Sequence, residues 1–129
     1  MPKKIYKSIA VVDVNKVVLQ SKKVQELKNE QEARIRELNQ WLANVKTDVE
    51  SKSNNEEKQA LVNEYNKQFA QKQNDIKAQY TAKLQTIEKS ISELIAKIAE
   101  EKGYDIVLSK YITLYGGDDI TDDVIEIVE

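Results

Sequence analysis

The chain of 129 residues contains neither cysteine nor histidine, which excludes disulfides, thiolate nucleophiles, imidazole bases and zinc sites built on those side chains. Charged residues make up 33% of the sequence, whereas glycine occurs 3 times and proline once, so turns are few and long helices are favoured. The net charge of −2 lacks the basic excess of nucleic-acid-binding proteins, and no apolar run approaches the ~20 residues of a membrane-spanning helix. We therefore expect no nucleic-acid partner and no integral membrane association.

The first 14 residues resemble a signal peptide only in outline. Three lysines precede the apolar run Ile9–Val12, but that run is too short for a signal peptide and Asp13 ends it. The sequence leaves two alternatives open: a signal peptide has been removed, or the protein stays in the cytoplasm.

A short buried strand is predicted over residues 8–14, which are β-branched and apolar on both faces up to Asp13. A helix is predicted from about Asn15 to Glu50, because its apolar residues recur at steps of three and four, as in a coiled-coil seam. The seam is predicted to consist of Val24, Leu27, Ile35, Leu38, Leu42, Val45 and Val49, with Gln31 in register. Two successive steps of four through Gln31 predict a local relaxation of the supercoil.

The polar residues 51–55 predict the connection to a second helix, which Asn54 or Asn55 would cap. This helix is predicted to run to about Lys102, where Gly103 is a natural stop. Its predicted seam consists of Leu61, Tyr65, Phe69, Ile76, Tyr80, Leu84, Ile87, Ile91, Leu94 and Ile98. Two long helices with a short connection predict an antiparallel coiled-coil hairpin over residues 15–102, with its tip near residues 51–55.

The tail has strand composition over residues 104–110 and 111–115, followed by a predicted turn at Gly116 and Gly117. Residues 118–129 predict a short helix with Thr121 as its N-cap and acidic residues in its first turn. Its apolar face is predicted to consist of Ile120, Val124, Ile127 and Val128. Strands at both ends and a hairpin between them predict an α+β fold, with residues 1–129 forming a single unit.

The predicted β body, residues 6–14 and 103–129, contains only about 36 residues, and domains below roughly 40 residues seldom fold without disulfides, metals or partners. We therefore expect several copies to pool their strands into one shared β core. The predicted oligomerisation core consists of Ile9, Val11, Val12, Ile106, Val107, Leu108, Ile112, Leu114 and Val124. The pattern of residues does not by itself give the number of copies.

No catalytic or cofactor site is predicted. The tail aspartates lack the ligand spacing of a calcium loop and are interpreted as helix-capping residues, so no metal is expected. The two adjacent glycines are not followed by the lysine and hydroxyl residue of a phosphate loop. Without histidine, cysteine or a rigid carboxylate pair, the protein is not expected to be an enzyme or to use a cofactor.

Three segments carry a resemblance to a known family: SIAVVDVNKVV at positions 8–18, EKGYDIVLSK at 101–110 and DDITDDVIEIV at 118–128. With them the chain resembles the Skp/OmpH-like periplasmic chaperones over nearly its whole length. The resemblance implies a homotrimer with a shared β body, whose helical arms enclose a cavity for unfolded outer-membrane β-barrels. It also implies an ATP-independent holdase in the periplasm. The pI near 5.4 departs from the basic character of well-known members and leaves binding to lipopolysaccharide or membrane surfaces open.

A holdase needs small apolar surface patches surrounded by charged residues. Each patch binds a client weakly, and many patches together bind it tightly. The candidate client-binding residues, toward the predicted tip, are Trp41, Leu42, Val45, Val49, Leu61, Val62, Tyr65 and Phe69. Several of them are also expected to hold the two helices together, whereas Trp41 and Val62 are predicted to lie off the main seam.

Two other functions share the predicted hairpin. A coiled-coil adaptor would bind one specific folded partner and be indifferent to unfolded proteins. A cytoplasmic holdase resembling prefoldin would also place helical hairpins on a β body and would need no signal peptide.

Overall fold

Long helices dominate the computed structural model, which describes residues 8–129. The elements in chain order are β1 (Ile9–Val12), α1 (Val14–Gln20), α2 (Lys22–Glu50), α3 (Asn55–Glu101), β2 (Ile106–Ser109), a 3₁₀ turn (Lys110–Ile112), β3 (Asp118–Asp119) and α4 (Thr121–Ile127). The predicted α+β class with a helical hairpin is confirmed. The signal-like start and residues 6–7 of the predicted β body lie outside the described residues.

The described residues form two compact units. The sheet unit contains residues 8–26 and Leu84–Glu129, and the hairpin unit contains Leu27–Lys83. The sheet unit takes in more of the chain than the predicted β body, because Val17 of α1 and Ile91, Ile95 and Ile98 of α3 pack into its core.

A three-stranded parallel sheet lies in the sheet unit, in the order β2-β1-β3. Ile9 pairs with Ile106 on one side of β1, and Ala10 pairs with Asp118 on the other. Because β1 is the central strand, Ala10, Val11 and Val12 are all buried, as an apolar run without alternation predicts. β2 and β3 are both edge strands.

The predicted single helix from Asn15 is wrong at Ser21, where the chain leaves α1 and starts α2. The backbone of Ser21 is extended, its N–H donates to the Val18 carbonyl, and its wholly buried hydroxyl accepts from the Val24 N–H at 3.3 Å. The same hydroxyl donates to the Glu129 carbonyl. Ser21 is therefore the N-cap of α2, and this tertiary bond favours a helix break where the apolar spacing predicts none.

The predicted strand over residues 111–115 is also wrong. The chain instead forms the 3₁₀ turn, and the Thr113 hydroxyl then donates to the Ser109 carbonyl at 2.9 Å. The position beside β1 that a further strand could occupy is taken by Asp118 and Asp119. Residues 111–115 thus have strand composition but no strand partner in the part of the chain that the structure describes.

Thr121 is not the N-cap of α4 but its first helical residue, and the predicted apolar face of this helix is wrong at Ile127, which is exposed. The Thr121 N–H donates to Asp119 Oδ1 at 2.9 Å, so a carboxylate satisfies this end of the helix. The Thr121 hydroxyl accepts from the Asp13 N–H at 2.9 Å and donates to Asp119. Ile120 and Val124 are buried as predicted.

The ends of the second long helix agree with the sequence. The Asn54 side chain accepts from the Glu56 N–H at 2.8 Å at the start of α3. At the other end Gly103 has a φ of +83°, and the Tyr104 N–H donates to the Ala99 carbonyl at 2.9 Å. Together with the bond from the Gly103 N–H to the Glu100 carbonyl, this bond forms a Schellman motif. The motif needs a residue in the left-handed backbone conformation, which favours glycine.

Candidate functional site

The α2 side of the hairpin unit follows a regular heptad from Leu27 onward. Its buried and half-buried positions include Leu27, Gln31, Arg34, Leu38, Trp41, Val45 and Asp48, at alternating steps of four and three. Glu30, Ala33, Leu42 and Val49 are half-buried beside them. Ile35 was predicted for this seam but is 45% exposed, and Arg34 takes its place. A regular heptad can thus be followed through Gln31, and the local relaxation of the supercoil there stays a prediction.

Arg34 is tolerated in the seam because its charge is satisfied. It donates to Glu30 Oε1 at 2.8 Å and to the Gln79 side chain of α3. Lys83 of α3 donates to the same Glu30 oxygen at 2.6 Å. These hydrogen bonds from Lys83 and Arg34 hold the pKa of Glu30 below its ordinary value. The hairpin thus contains a polar layer where a coiled coil ordinarily has apolar side chains.

All eight candidate client-binding residues are half-buried, and the structure brings the three aromatic ones together. The rings of Trp41 and Tyr65 meet edge to face with centroids 5.7 Å apart, and those of Trp41 and Phe69 stack with centroids 6.5 Å apart. Trp41 was predicted to lie off the seam, but it occupies a heptad position against α3. We call Trp41, Tyr65 and Phe69 the aromatic cluster.

Two polar residues that sequence reasoning missed, Asp48 and Lys72, contact the aromatic cluster. Tyr65 donates to Asp48 Oδ2 at 2.6 Å, and this bond raises the pKa of the Tyr65 phenol. The Lys72 ammonium lies 5.2 Å from the centroid of the Trp41 ring, within the range of a cation–π contact. Arg34, Trp41 and Asp48 follow one another at intervals of seven residues. This heptad spacing is the sequence signal that could have placed all three in the seam.

An open groove of about 460 Å³ adjoins the aromatic cluster. It is lined by Glu30, Ala33, Arg34, Glu37, Leu38 and Trp41 of α2 and by Lys72, Asp75 and Ile76 of α3. The groove lies where the seam of α3 has no apolar residue between Phe69 and Ile76. It offers apolar surface between charged walls, which suits weak contact with a peptide side chain.

The predicted oligomerisation core falls into three groups in the single chain. Val11, Val12 and Val124 are buried, and the last two belong to the chain's own core. Ile9, Val107 and Leu108 are half-buried. Ile106, Ile112 and Leu114 are exposed, with Ile112 at 70% and Leu114 at 104%.

Tyr111 and Tyr115 are almost fully exposed beside Ile112 and Leu114, although they were not among the predicted residues. Four large apolar or aromatic side chains thus share residues 111–115, next to the edge strand β2. Monomeric proteins rarely leave such a run open to water. We call residues 111–115 the exposed segment.

Each tail aspartate has a partner within the chain. Tyr104 donates to Asp118 at 3.0 Å, which raises the pKa of the tyrosine, and Lys110 donates to Asp119 at 3.1 Å. Asp122 pairs with Lys16 at 3.7 Å, and Asp123 pairs with Lys102 at 3.3 Å. Within residues 8–129, no group of three or more acidic side chains is arranged to hold a metal ion.

Asp119 makes a stability contribution that depends on pH. Hydrogen bonds from Thr121, with a smaller effect from Lys110, lower its pKa to about 2. A depressed carboxyl pKa stabilises the fold above the unfolded-state pKa of about 4, and this stabilisation is lost as the pH falls from about 4 to about 2. Because 46% of the side chain is exposed, solvent screening reduces the contribution to roughly 1 kcal/mol.

We expect Asp119→Asn to lower the free energy of unfolding by roughly 1 kcal/mol at pH 7, and by only a small fraction of that at pH 2. Urea titrations of both proteins at matched concentration, from pH 7 down to pH 2, would measure the difference. A difference of the same size at both ends of this range would show that Asp119 acts through packing rather than charge.

Membrane-spanning helices are not found in the described part of the chain, since none of its helices is both long and apolar enough. The chain matches the model of a protein family described as outer membrane protein (OmpH-like), and the match covers residues 8–128. Among curated proteins, none matches the chain. The family is one of periplasmic chaperones of outer-membrane proteins. Since the match covers both the sheet unit and the hairpin unit, the chain belongs to the OmpH-like family.

Proposed function

We propose that this protein is an ATP-independent holdase chaperone of the periplasm, which binds unfolded outer-membrane β-barrels and prevents their aggregation. The observation that carries the proposal is the family match over residues 8–128. The half-buried apolar residues of the hairpin unit support it, because they offer a client many small contacts surrounded by charge.

The proposed mechanism is passive. Apolar segments of an unfolded client contact the aromatic cluster and the neighbouring half-buried residues Leu42, Val45, Val49, Leu61 and Val62. Each contact is weak, so the client stays bound through their number and leaves once folding elsewhere offers it a deeper free-energy minimum. The binding and release steps require no nucleotide.

We further propose that the working form is a homotrimer, in which the arms of three copies enclose the client. The free edge of β2 and the exposed segment support assembly through the sheet unit. An edge strand presents unpaired backbone groups, and the apolar side chains of residues 111–115 gain most from being covered by another copy.

Aggregation of an unfolded client tests the proposed function. A urea-unfolded outer-membrane barrel is diluted into buffer while light scattering is followed at increasing concentrations of this protein. We expect scattering to fall and to level off near three chains per client, without ATP. Scattering that stays unchanged at large excess would contradict the holdase function and favour an adaptor, which a pull-down of folded partners would then identify.

A further inference from the structure

The groove beside the aromatic cluster has an unbalanced set of charges. Arg34 is engaged by Glu30 and Gln79, and Lys72 lies over the Trp41 ring. Glu37 and Asp75 also line the groove, one on each helix, and both are exposed. Within residues 8–129 neither of these two carboxylates has a hydrogen-bond or ion-pair partner. In the described part of the chain, the groove therefore carries two unpaired carboxylates, one on each wall, against a single unpaired cation, the Lys72 ammonium over the Trp41 ring.

The floor of the groove combines apolar and aromatic surface. Leu38 and Ile76 are half-buried on opposite helices, and Trp41 presents a ring to which a cation already lies close. A guanidinium group stacks on indole at least as well as an ammonium does, and it bonds carboxylates through two parallel N–H donors. Arginine thus fits both the walls and the floor of this groove.

We propose that this groove binds an arginine side chain, together with an adjacent apolar residue, in an extended segment of an unfolded client. The arginine bonds Glu37 and Asp75 and takes the face of Trp41 that Lys72 covers in the free protein. The neighbouring apolar residue packs on Leu38 and Ile76. This inference rests on the proposed holdase function and assigns a preferred type of client segment to one place on the hairpin unit.

Trp41 provides a local readout, because it is the only tryptophan in the chain. The probes are short, unstructured Gly/Ser peptides that contain two Arg–Leu pairs, two Glu–Leu pairs or two Ser–Leu pairs and no aromatic residue. Titration of each peptide into the full-length protein is followed through the emission of Trp41. We expect the Arg–Leu peptide to bind about tenfold more tightly than the Glu–Leu peptide at low salt, and the ratio to fall as salt is added.

Two double variants separate the groove from the net charge of the protein. Glu37→Gln with Asp75→Asn should reduce the tenfold preference to about twofold or less, since neither wall then carries an unpaired carboxylate. Glu32→Gln with Glu64→Gln removes the same charge from exposed residues outside the groove and should retain the preference. Lys72→Gln should tighten binding of the Arg–Leu peptide a few-fold, because the competing cation is gone.

Aggregation of the urea-unfolded barrel is measured in parallel with the wild-type protein. If the barrel is held but the peptides bind equally, or if the groove variant keeps its preference, the arginine site is wrong while the holdase function stands. If the barrel aggregates freely in the presence of the protein, the holdase function itself fails. If both double variants lose the preference for the Arg–Leu peptide to the same extent, the preference comes from the net charge of the protein. That result would also overturn the proposed site.

Discussion

Replacing Ile112 and Leu114 together with aspartate is expected to convert the proposed trimer to a monomer. Both side chains are largely exposed in the single chain, so the charges cost its own core nothing. If copies cover the exposed segment, each chain must instead bury two unpaired carboxylates. This costs roughly 3 kcal/mol or more per chain and weakens association by about a hundredfold or more.

Sedimentation velocity measures this effect directly, with the wild-type protein expected at three times the chain mass of 14.8 kDa. The matched control is Leu19→Asp with Ile35→Asp, which makes the same chemical change at exposed apolar residues of α1 and α2. The control should remain a trimer. A trimeric Ile112→Asp, Leu114→Asp variant would place the contact between copies elsewhere on the chain.

The same variant separates assembly from client binding. Its hairpin unit is unchanged, so single contacts with a client survive, whereas the combined effect of three arms is lost. We expect the monomer to need a far larger excess over the unfolded barrel to suppress light scattering. A monomer that suppresses scattering as well as the wild type does would contradict the proposed cage.

The hairpin was the part of the fold most accessible from sequence, because a regular spacing of apolar residues over many turns is a local signal. The error at Ile35 has a physical cause. A seam read only from apolar side chains favours isoleucine over arginine, although an arginine stem packs well when its charge is satisfied. The partners that satisfy Arg34 include Gln79, which is 45 residues away in the chain and carries no local signal.

The aromatic cluster was predicted in part for the same reason. Tyr65 and Phe69 follow the seam of α3, and Trp41 was selected as a large apolar side chain near the tip. The contact of Trp41 with Tyr65 requires a heptad register in which Arg34, and not Ile35, lies in the seam of α2. The contact of Lys72 with the Trp41 ring depends on which residues of α2 and α3 lie opposite one another, and the spacing of apolar residues does not specify this.

The sheet unit was harder to predict, because its strands pair across almost the whole chain. Asp118 and Asp119 have poor strand propensity, yet they pair with β1, whereas residues 111–115 have strong strand propensity and pair with no strand among residues 8–129. Strand pairing in the sheet unit thus depends on which backbone segment can lie beside β1, and not on the strand propensity of its residues. The composition of residues 111–115 therefore supports the proposed contact between copies at this segment.

Gly117 lies close against β1, and Gly117→Ala is expected to be strongly destabilising. A β-carbon there would lie 2.5 Å from Val11 Cγ2, and the φ of +84° is unfavourable for any residue with a β-carbon. The steric conflict costs about 1–3 kcal/mol and the backbone conformation about 1 kcal/mol more. We therefore expect the free energy of unfolding to fall by roughly 3 kcal/mol, measured by urea titration at a fixed chain concentration.

Gly116→Ala is the matched control for this prediction, because Gly116 has a φ of +90° but no atom within 4 Å of an added β-carbon. It should lose only the backbone contribution of about 1 kcal/mol. The difference between the two variants thus isolates the contact between Gly117 and β1, which positions Asp118 and Asp119 for pairing. Equal losses in both variants would mean that the two glycines serve the turn alone, and that β3 owes nothing to the close approach at Gly117.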